Sequence, residues 1–370
     1  MEKISKQDAK DLLVGATILS TGGGGSLEKG LALVDEDYGN GLGYRLAAKG
    51  EADPGGLYAC PYFCGAVGPS GAEGDPYERY GKEPGLETVA AVAALERFLG
   101  EDLAGLVSIE YGGMNTAVAL STAARMGKPV VDADAAGRAV PDLQFSTFYV
   151  AGRPIAPLAV ATEIGDCCVF EKVADDFRAE ALVRALAVVS GNKVGMVDHP
   201  TRGRDLMDSV IWGALSYARA VGCARREAFE SGQDPVAATA AVAGGFLLFS
   251  GKVDGDSEWR NEAGFTTGTI WISGEGGFAG HGYRIWYKNE NMMSWLDGKA
   301  HATCPDLICV VDARTGWPLV NPGCKDGMEV AVLGFKAPDV WRGGRGLSIL
   351  NPASFGFGDK WTPVEGLGAV

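Results

Sequence analysis

The sequence predicts a fold of the α/β plus β class, in which an N-terminal α/β layered domain with a mixed sheet precedes a C-terminal β-rich domain of sandwich or barrel-like type. Apolar runs alternate with Ala- and Leu-rich helical segments up to about residue 165, which is typical of a sheet with helices on its faces. From about residue 242 the segments become short, aromatic and β-branched, and glycines separate them. The predicted domains are therefore 1–170 and 171–370.

The first domain is expected to alternate helices and strands. Helices are predicted near 7–19, 85–99 and 115–126 and from about 140, and strands near 57–63, 104–110 and 129–131. The segment 65–84 is rich in Gly, Pro and Glu, so we interpret it either as a lid or binding loop or as a mobile surface loop. The stretch 104–131 reads as strand, helix and strand, so it predicts a βαβ unit with two parallel strands.

The second domain is expected to begin with helices and to continue with strands. Amphipathic spacing predicts two helices within 175–232, at 175–190 and 204–231. Within the β-rich region 242–340, strands are predicted near 245–249, 267–272, 283–287, 306–311 and 328–333. Residues 343–370 are predicted to form an irregular tail that could return to the first domain.

Polar side chains follow both strands of the βαβ unit. Glu110 and Asn115 come after the first strand, and Asp132 and Asp134 come at the end of the second. Because parallel strands place their carboxyl ends at one edge of a sheet, these four side chains are predicted to share a cleft. The alternative is a solvated turn in which Arg138 forms a local ion pair. Asp132 and Asp134 point to opposite faces of a strand, so they share a site only if the strand has ended by Asp132.

A run of four glycines, Gly22, Gly23, Gly24 and Gly25, precedes Ser26. Glycines contribute no side chain to a core and lose the most backbone entropy on folding, so the run favours a loop with exposed amides. Ser26 is a suitable N-cap for a helix over about 27–35, whose free N–H groups would attract an anion or a polarised carbonyl. No Lys-Ser or Lys-Thr pair closes the loop as in a P-loop. A substrate-binding loop is therefore predicted, and a merely structural turn is the alternative.

Composition limits the class of partner. The chain has 370 residues and a net charge of −14, and no basic run offsets that acidity, which argues against nucleic acid or an anionic membrane. The eight cysteines include no Cys-x-x-Cys pair, so we expect reduced thiols. No signal core and no apolar run near the ~20 residues of a membrane span occur. The expectation is a cytoplasmic enzyme with a small-molecule partner.

Metal-ligand signatures are weak. The three histidines form neither His-x-His nor His-Glu-x-x-His, so no metal ligands and no cofactor are predicted, although Glu110 with the two aspartates could hold a hard divalent cation such as Mg²⁺. His199 precedes Pro200 in a polar turn. It could donate a proton to a leaving group or have no chemical role.

Three motifs taken together resemble the S-methyl-thiohydantoin desulfurase-like family, and they span 21–26, 110–115 and 132–144. The likeness continues through 288–290, 304–308, 315–316 and 351–356, so it covers nearly the whole chain. The resemblance implies an α/β domain followed by a β-rich domain, and removal of sulfur from thiohydantoin rings in hydantoin metabolism. Related chains occur near or fused to hydantoin-processing enzymes. The chain departs from the family pattern in 65–84 and at 139–142, where Ala-Phe-Pro-Glu is more usual.

The resulting hypothesis is a hydrolase that attacks C2 of a five-membered cyclic thioamide or thioimidate with water, expelling sulfide or a thiol and leaving a hydantoin. Glu110 or Asp132 would be the base, and Asn115 and the glycine amides would stabilise developing charge. Arg138, Gln144 and His199 are predicted to contact the substrate. The alternatives are a cyclic amide or imide hydrolase and a non-catalytic ligand-binding subunit that partners a hydantoinase. A homo-oligomer is expected.

Overall fold

The N-terminal part of the chain builds a mixed sheet. The structure is a computed structural model that describes residues 1–65, 80–83 and 85–367. The strands of the first sheet are β1 (Glu2–Lys3), β2 (Arg45–Ala47), β3 (Leu57–Gly65), β4 (Gly105–Ser108), β5 (Val130–Asp134), β6 (Leu158–Ala161), β7 (Cys167–Phe170), β8 (Lys193–Arg202) and β9 (Ile211–Trp212). Their order is β1-β2-β5-β4-β3-β8-β6-β7, and β9 pairs with β5.

The four central strands of this sheet run parallel. β2 pairs with β5, β5 with β4 and β4 with β3, each time in the parallel sense. The flanking pairs, such as β3 with β8 and β6 with β7, are antiparallel. The predicted mixed sheet and the parallel βαβ unit are therefore confirmed. Strand β8 joins the first sheet although it lies beyond residue 170, and the predicted division at that residue stays a prediction.

The helices cover the first sheet and connect it to the second. They are α1 (Lys6–Leu19), α2 (Leu27–Gly39), α3 (Glu87–Leu99), α4 (Gly113–Arg125), α5 (Thr147–Val150), α6 (Asp176–Val189), α7 (Gly203–Leu206), α8 (Ala214–Glu230), α9 (Pro235–Ala243) and α10 (Gly344–Ile349). Ser26 caps α2 as predicted, because its side chain accepts a hydrogen bond from the N–H of Lys29 at 3.2 Å. Within the described residues no helix is long and apolar enough to cross a membrane.

The C-terminal part forms a second, antiparallel sheet, as the change in periodicity predicts. Its strands are β10 (Phe246–Val253), β11 (Glu258–Glu262), β12 (Phe265–Gly274), β13 (Gly282–Lys288), β14 (Glu290–Leu296), β15 (Lys299–Thr303), β16 (Leu307–Asp312) and β17 (Glu329–Phe335). The order is β15-β14-β13-β12-β10-β17-β16, with β11 added beside β12. The end strands β15 and β16 do not pair, so this β-rich part does not close into a barrel in the described residues.

Two helix predictions are wrong. No long helix begins near residue 140, where the described chain contains only the short α5. The backbone carbonyls of Ala139 and Pro141 are instead taken by the side chains of Arg138 and Arg184. The helix expected over 204–231 is split into α7 and α8 by β9, which pairs with β5. The predicted loop 65–84 lies almost wholly outside the described residues.

A buried arginine joins the two sheets. Arg138 follows β5 and has no solvent exposure, although arginine is rarely buried without partners. Its guanidinium donates to the carbonyl oxygen of Pro305 at 2.6 Å and of Asn291 at 3.4 Å, both in the second sheet region. It also donates to the hydroxyl of Thr21 at 3.1 Å, just before the glycine run. One side chain therefore ties three distant segments together.

Replacing Arg138 by lysine should destabilise the protein by about 3 kcal/mol or more, because a compact ammonium cannot reach all of these acceptors and leaves buried carbonyls unpaired. The free energy of unfolding, measured by urea denaturation, checks this. The matched control is Arg97→Lys, on the exposed face of α3, which should change stability by less than about 0.5 kcal/mol. A loss below about 1 kcal/mol for Arg138→Lys would contradict the role assigned to this side chain.

Candidate functional site

A cavity of about 210 Å³ lies where the two sheets meet, and we call it the junction cavity. The first part of the chain supplies the glycine run, the end of β3, the segment after β4, residues 140–143, α6 and the start of β8. The second part supplies Asn289 and Glu290, at the turn between β13 and β14. The polar lining from both parts makes this cavity the candidate active site.

Glu110 lies in the junction cavity two residues after β4, as the sequence predicts for an edge of parallel strands. Its backbone has φ of 61°, a conformation that non-glycine residues seldom adopt and that concentrates at functional sites. Burial raises the pKa of its carboxyl well above the usual value, and the neighbouring carboxylate of Glu290 raises it further. Glu110 is therefore a carboxyl group that can hold a proton near neutral pH.

Glu290 is the second carboxylate of the junction cavity, and the sequence hypothesis did not assign it a role. Only 2 % of the residue is exposed, and its Oε2 atom has no hydrogen-bond partner. Burial raises the pKa of its carboxyl to about 8, although the cation of Arg138 opposes that shift. The preceding residue, Asn289, has φ of 55° and is held by hydrogen bonds to Thr266.

The two glutamates form a coupled pair. They come from different sheets and face one cavity, and the charge of Glu290 raises the pKa of Glu110, since two like charges in a buried site cannot both ionise easily. Such a pair provides one ionised and one protonated carboxyl over a range of pH, which is the requirement for combined general acid and general base catalysis.

Asn115 belongs to the junction cavity as predicted. Its Oδ1 accepts a hydrogen bond from the N–H of Phe63 at 3.2 Å, and its Nδ2 donates to Oε2 of Glu110 at 3.4 Å. The amide therefore links the end of β3 to Glu110 and fixes the orientation of that carboxyl. Because it sits in the first turn of α4, its position follows directly from the strand-helix unit.

The glycine run divides between two surroundings. Gly24, Gly25 and Ser26 line the junction cavity, whereas Gly22 and Gly23 pack against the second part of the chain. A side chain on Gly23 would collide with the carboxyl of Glu290, and one on Gly24, at φ of 71°, would collide with the backbone after Glu110. Because these residues have no side chains, the backbone of the glycine run packs directly against Glu290 and against the segment that follows Glu110.

The structure places Asp132 and Asp134 outside the junction cavity. The carboxylate of Asp132 accepts from the backbone N–H of Ser216 at 2.9 Å and from its hydroxyl at 2.7 Å. Asp134 is fully buried and accepts from the N–H groups of Ala136 at 2.8 Å and Gly137 at 2.6 Å. The carboxylate of Asp132 therefore stabilises the start of α8 and that of Asp134 the turn after β5, and of the four side chains predicted to share a cleft only Glu110 and Asn115 line the junction cavity.

The predicted substrate contacts Arg138, Gln144 and His199 also lie away from the junction cavity. Arg138 makes the contacts between the sheets described above and no ion pair with Asp134. Gln144 is buried, with 7 % exposure. His199 is enclosed between Asp198 and Asp176. Among the described residues, no group of three or more His, Cys, Asp or Glu side chains could hold a metal ion.

The family is identified by models for both parts of the chain. The model described as S-Me-THD-like, N-terminal domain matches residues 7–172, and that described as S-Me-THD-like, C-terminal domain matches residues 174–364. The chain belongs to the S-Me-THD-like family. This is the S-methyl-thiohydantoin desulfurase-like family of the sequence resemblance.

The fold of this S-Me-THD-like protein is similar to that of a solved structure. The crystal structure of a protein from Chromobacterium violaceum, a structural genomics target, is 24% identical in sequence and superposes with a TM-score of 0.77. The alignment covers 98% of this chain and 100% of that chain. No curated protein matches the chain.

Some cavity residues of this S-Me-THD-like protein had no decisive signal in the sequence. Arg184 reaches the wall from α6, and Lys193 from the first residue of β8. Each lies in an ordinary amphipathic helix or strand pattern. Glu290 stands in the Lys-Asn-Glu stretch that contributes to the family resemblance, so a signal existed there, but nothing in the local pattern links it to Glu110.

Replacing Glu290 by glutamine should change how stability depends on pH. A carboxyl whose folded pKa is raised from 4.5 to about 8 favours folding below pH 4.5 and loses that contribution as pH rises through 8. Glutamine has no such loss. We expect the stability of Glu290→Gln relative to the wild type to increase between pH 5 and pH 9, by on the order of 3 kcal/mol.

Urea denaturation at several pH values tests this expectation, with Glu171→Gln as the matched control at an exposed glutamate outside the cavity. The control should follow the wild type throughout. If the free energies of unfolding of Glu290→Gln and the wild type change with pH in the same way from pH 5 to pH 9, the pKa of the Glu290 carboxyl is not raised.

Proposed function

We propose that this S-Me-THD-like protein is a hydrolase that removes sulfur from a five-membered cyclic thioamide or thioimidate and leaves a hydantoin. The observation that carries the proposal is the pair Glu110 and Glu290 in one cavity, with the pKa of each carboxyl raised. The family membership supports a thiohydantoin-type ring as the substrate class. The junction cavity would hold the ring, which is small, planar and carries polar edges.

The proposed reaction needs no oxidant or reductant. In a thioimidate, the oxygen of water forms a bond to C2 and the bond from C2 to sulfur breaks. One proton of the water ends on the ring nitrogen and the other on the departing thiolate, so a hydantoin and a thiol result. In a thioamide the ring nitrogen keeps its own proton, both protons of the water end on the sulfur, and hydrogen sulfide is released.

The two carboxyls divide the proton transfers. The ionised member of the pair takes a proton from the attacking water, and the protonated member donates to the departing sulfur. Glu110 is the stronger candidate for the base, since Asn115 orients its carboxyl with a hydrogen bond. Glu290 then serves as the acid, and its unpartnered Oε2 is available to the leaving group.

Charge that develops on the ring would meet the first turn of α2. Backbone N–H groups at a helix N-terminus attract negative charge, and Gly25 and Ser26 bring that terminus to the junction cavity. Lys29, in the same turn, also lines the cavity. Lys29 replaces Arg138 as the proposed cationic contact for the substrate, because the donors of Arg138 are occupied by backbone carbonyls.

Glu110→Gln and Glu290→Gln should each lower the turnover number by roughly a hundredfold or more, because each amide removes one proton transfer while keeping its shape. The measurement is release of thiol or sulfide from a thiohydantoin or its S-methyl derivative. Glu171→Gln is the control and should retain the wild-type rate. Turnover within about threefold of the wild type in both cavity variants would exclude the pair as the catalytic groups.

Asp132→Asn separates this proposal from the alternative base that the sequence suggests. Asp132 lies outside the junction cavity and is bonded to Ser216, so its replacement should change turnover by less than about threefold. A loss comparable to that of Glu110→Gln would move the base to Asp132.

The rate should depend on pH as a bell-shaped curve. Turnover needs one carboxyl ionised and the other protonated, so the rate should rise as the pair loses its first proton and fall as it loses the second. Because the pKa of both groups lies above the usual 4.5, the whole curve should be displaced toward neutral and alkaline pH. A profile that is already flat from pH 5 upward would contradict the pairing.

Two alternatives give different products. A hydrolase of ordinary cyclic amides or imides would open the ring, and chromatography would detect the ring-opened acid without sulfide release. A ligand-binding subunit of a hydantoinase would bind the ring, as calorimetry can show, without turnover of its own. The paired acid and base favour the desulfurase, since a binding role requires neither proton transfer.

A further inference from the structure

A row of buried charged side chains runs along one face of α6. Asp176, Glu180 and Arg184 are spaced four residues apart, so they lie on the same side of the helix. Their exposed fractions are 3, 7 and 8 %, which is low for charged residues. Buried charges of this kind are stable only when they contact groups of opposite charge or hydrogen-bonding groups. The contacts at the two ends of the row differ.

At the start of α6 the partner is His199. Its imidazole has no solvent exposure and lies between two carboxylates, with Nδ1 3.0 Å from Oδ1 of Asp198 and Nε2 3.4 Å from Oδ2 of Asp176. The ring also stacks on Phe148 at a centroid distance of 4.7 Å. A protonated imidazole carries a positive charge between the two carboxylates and directs one N–H toward each, whereas a neutral one directs an N–H toward only one of them. The contact with Asp176 is an ion pair without hydrogen-bond geometry.

At the other end the row reaches the wall of the junction cavity. Glu180 accepts from the N–H of Leu143 at 3.0 Å and from Nε of Arg184 at 2.7 Å. Arg184 in turn donates to the carbonyl oxygens of Pro141 and Gly264, each at 3.1 Å. Pro141, Leu143 and Arg184 all line the junction cavity. The placement of α6 therefore sets this part of the wall.

We propose that His199 is a positioning residue for the junction cavity. Its imidazole holds Asp176 of α6 next to Asp198 of β8, and we call this contact the clasp. The position of α6 in turn sets the positions of Arg184 and residues 141–143. The clasp concerns the geometry of the cavity, and only its effect on turnover rests on the proposed function. His199 does not touch the substrate, in contrast to the role that the sequence suggested for it.

Loss of the cation between the two aspartates has a definite consequence. Asp198 and Asp176 would face each other as buried like charges, and α6 would shift away from β8. Two titratable groups of β3 also face this site: the hydroxyl of Tyr62 donates to Asp198 at 2.6 Å, and burial and the charge of Asp198 raise the pKa of the Cys60 thiol. Arg184 would then move with the helix. Since its charge lowers the pKa of Glu110, displacement should raise that pKa further.

The wild-type protein allows a direct test. The two aspartates outweigh the effect of burial and raise the pKa of His199 to about 9. Nitrogen NMR should find a charged imidazole at pH 7, and raising the pH through 9 should change the Nε–H signal of Arg184 with the same midpoint as His199. The proposal is overturned if His199 is neutral at pH 7 or if the Arg184 signal does not follow its titration.

Variants test the effect on turnover. His199→Gln and Asp176→Asn should each lower kcat/KM by about tenfold or more and move the pH–rate curve to higher pH, because small misplacements of cavity groups are costly. The double variant should lose little beyond the worse single variant, since both remove one contact. The control is His281→Gln, at an exposed pair with Asp297, which should stay within about twofold.

The outcomes separate the clasp from the desulfurase proposal. If the single variants fold and both their pH–rate curve and their Arg184 signal are unchanged, the clasp only stabilises the fold. That outcome would overturn the proposal. If the wild type turns over no thiohydantoin, the proposed function fails, whereas the coupled NMR titration of His199 and Arg184 still decides whether the clasp sets the cavity wall.

Discussion

The burial of the Arg138 guanidinium between the two sheets is the constraint on which the junction cavity depends. A buried cation is stable only with a full set of acceptors, and here backbone carbonyls from the second sheet region supply half of them. The carboxylate of Glu290 adds a favourable charge interaction. Because the same side chain also holds Thr21, the glycine run and the β13–β14 turn are fixed relative to each other.

This arrangement explains how a carboxyl with an unpartnered oxygen is maintained. Glu290 alone would be costly to bury in ionised form, and Arg138 reduces that cost without forming a direct ion pair that would remove its basicity. Arg184 has the corresponding effect on Glu110, since its charge lowers the pKa of a carboxyl that burial raises. The backbone strain at Glu110 and Asn289 is of order 1–3 kcal/mol each and is supported by the surrounding packing.

Much of the fold follows from sequence pattern because it depends on local periodicity. The change from alternating helices and strands to short aromatic strands near residue 242 is reproduced by two sheets of different kinds. The Ser26 cap was predictable from side-chain chemistry, as was the placement of Glu110 and Asn115 after β4. These features involve residues within one strand-helix unit, where spacing along the chain determines position in space.

The remaining site residues were not predictable in this way. Asp132 and Asp134 meet the motif expected of ligands, yet Asp132 accepts from Ser216 of α8, and Asp134 accepts from Ala136 and Gly137 of the turn after β5. Glu290 is separated from Glu110 by about half of the chain, and the packing of one sheet on the other brings them to one cavity. A local pattern cannot state whether a carboxylate faces a cavity or a turn, since both use the same residue types.

The two glutamates come from different sheets, so the second part of the chain contributes one of the two carboxyls of the junction cavity. If the acid and base came from one sheet, the other could be an accessory surface. Instead, each sheet alone would present only one of the two glutamates to the cavity, and under the proposed mechanism neither alone could supply both proton transfers. The proposed chemistry therefore requires the docked arrangement of the sheets, which the buried contacts of Arg138 and Arg184 across the junction hold in place.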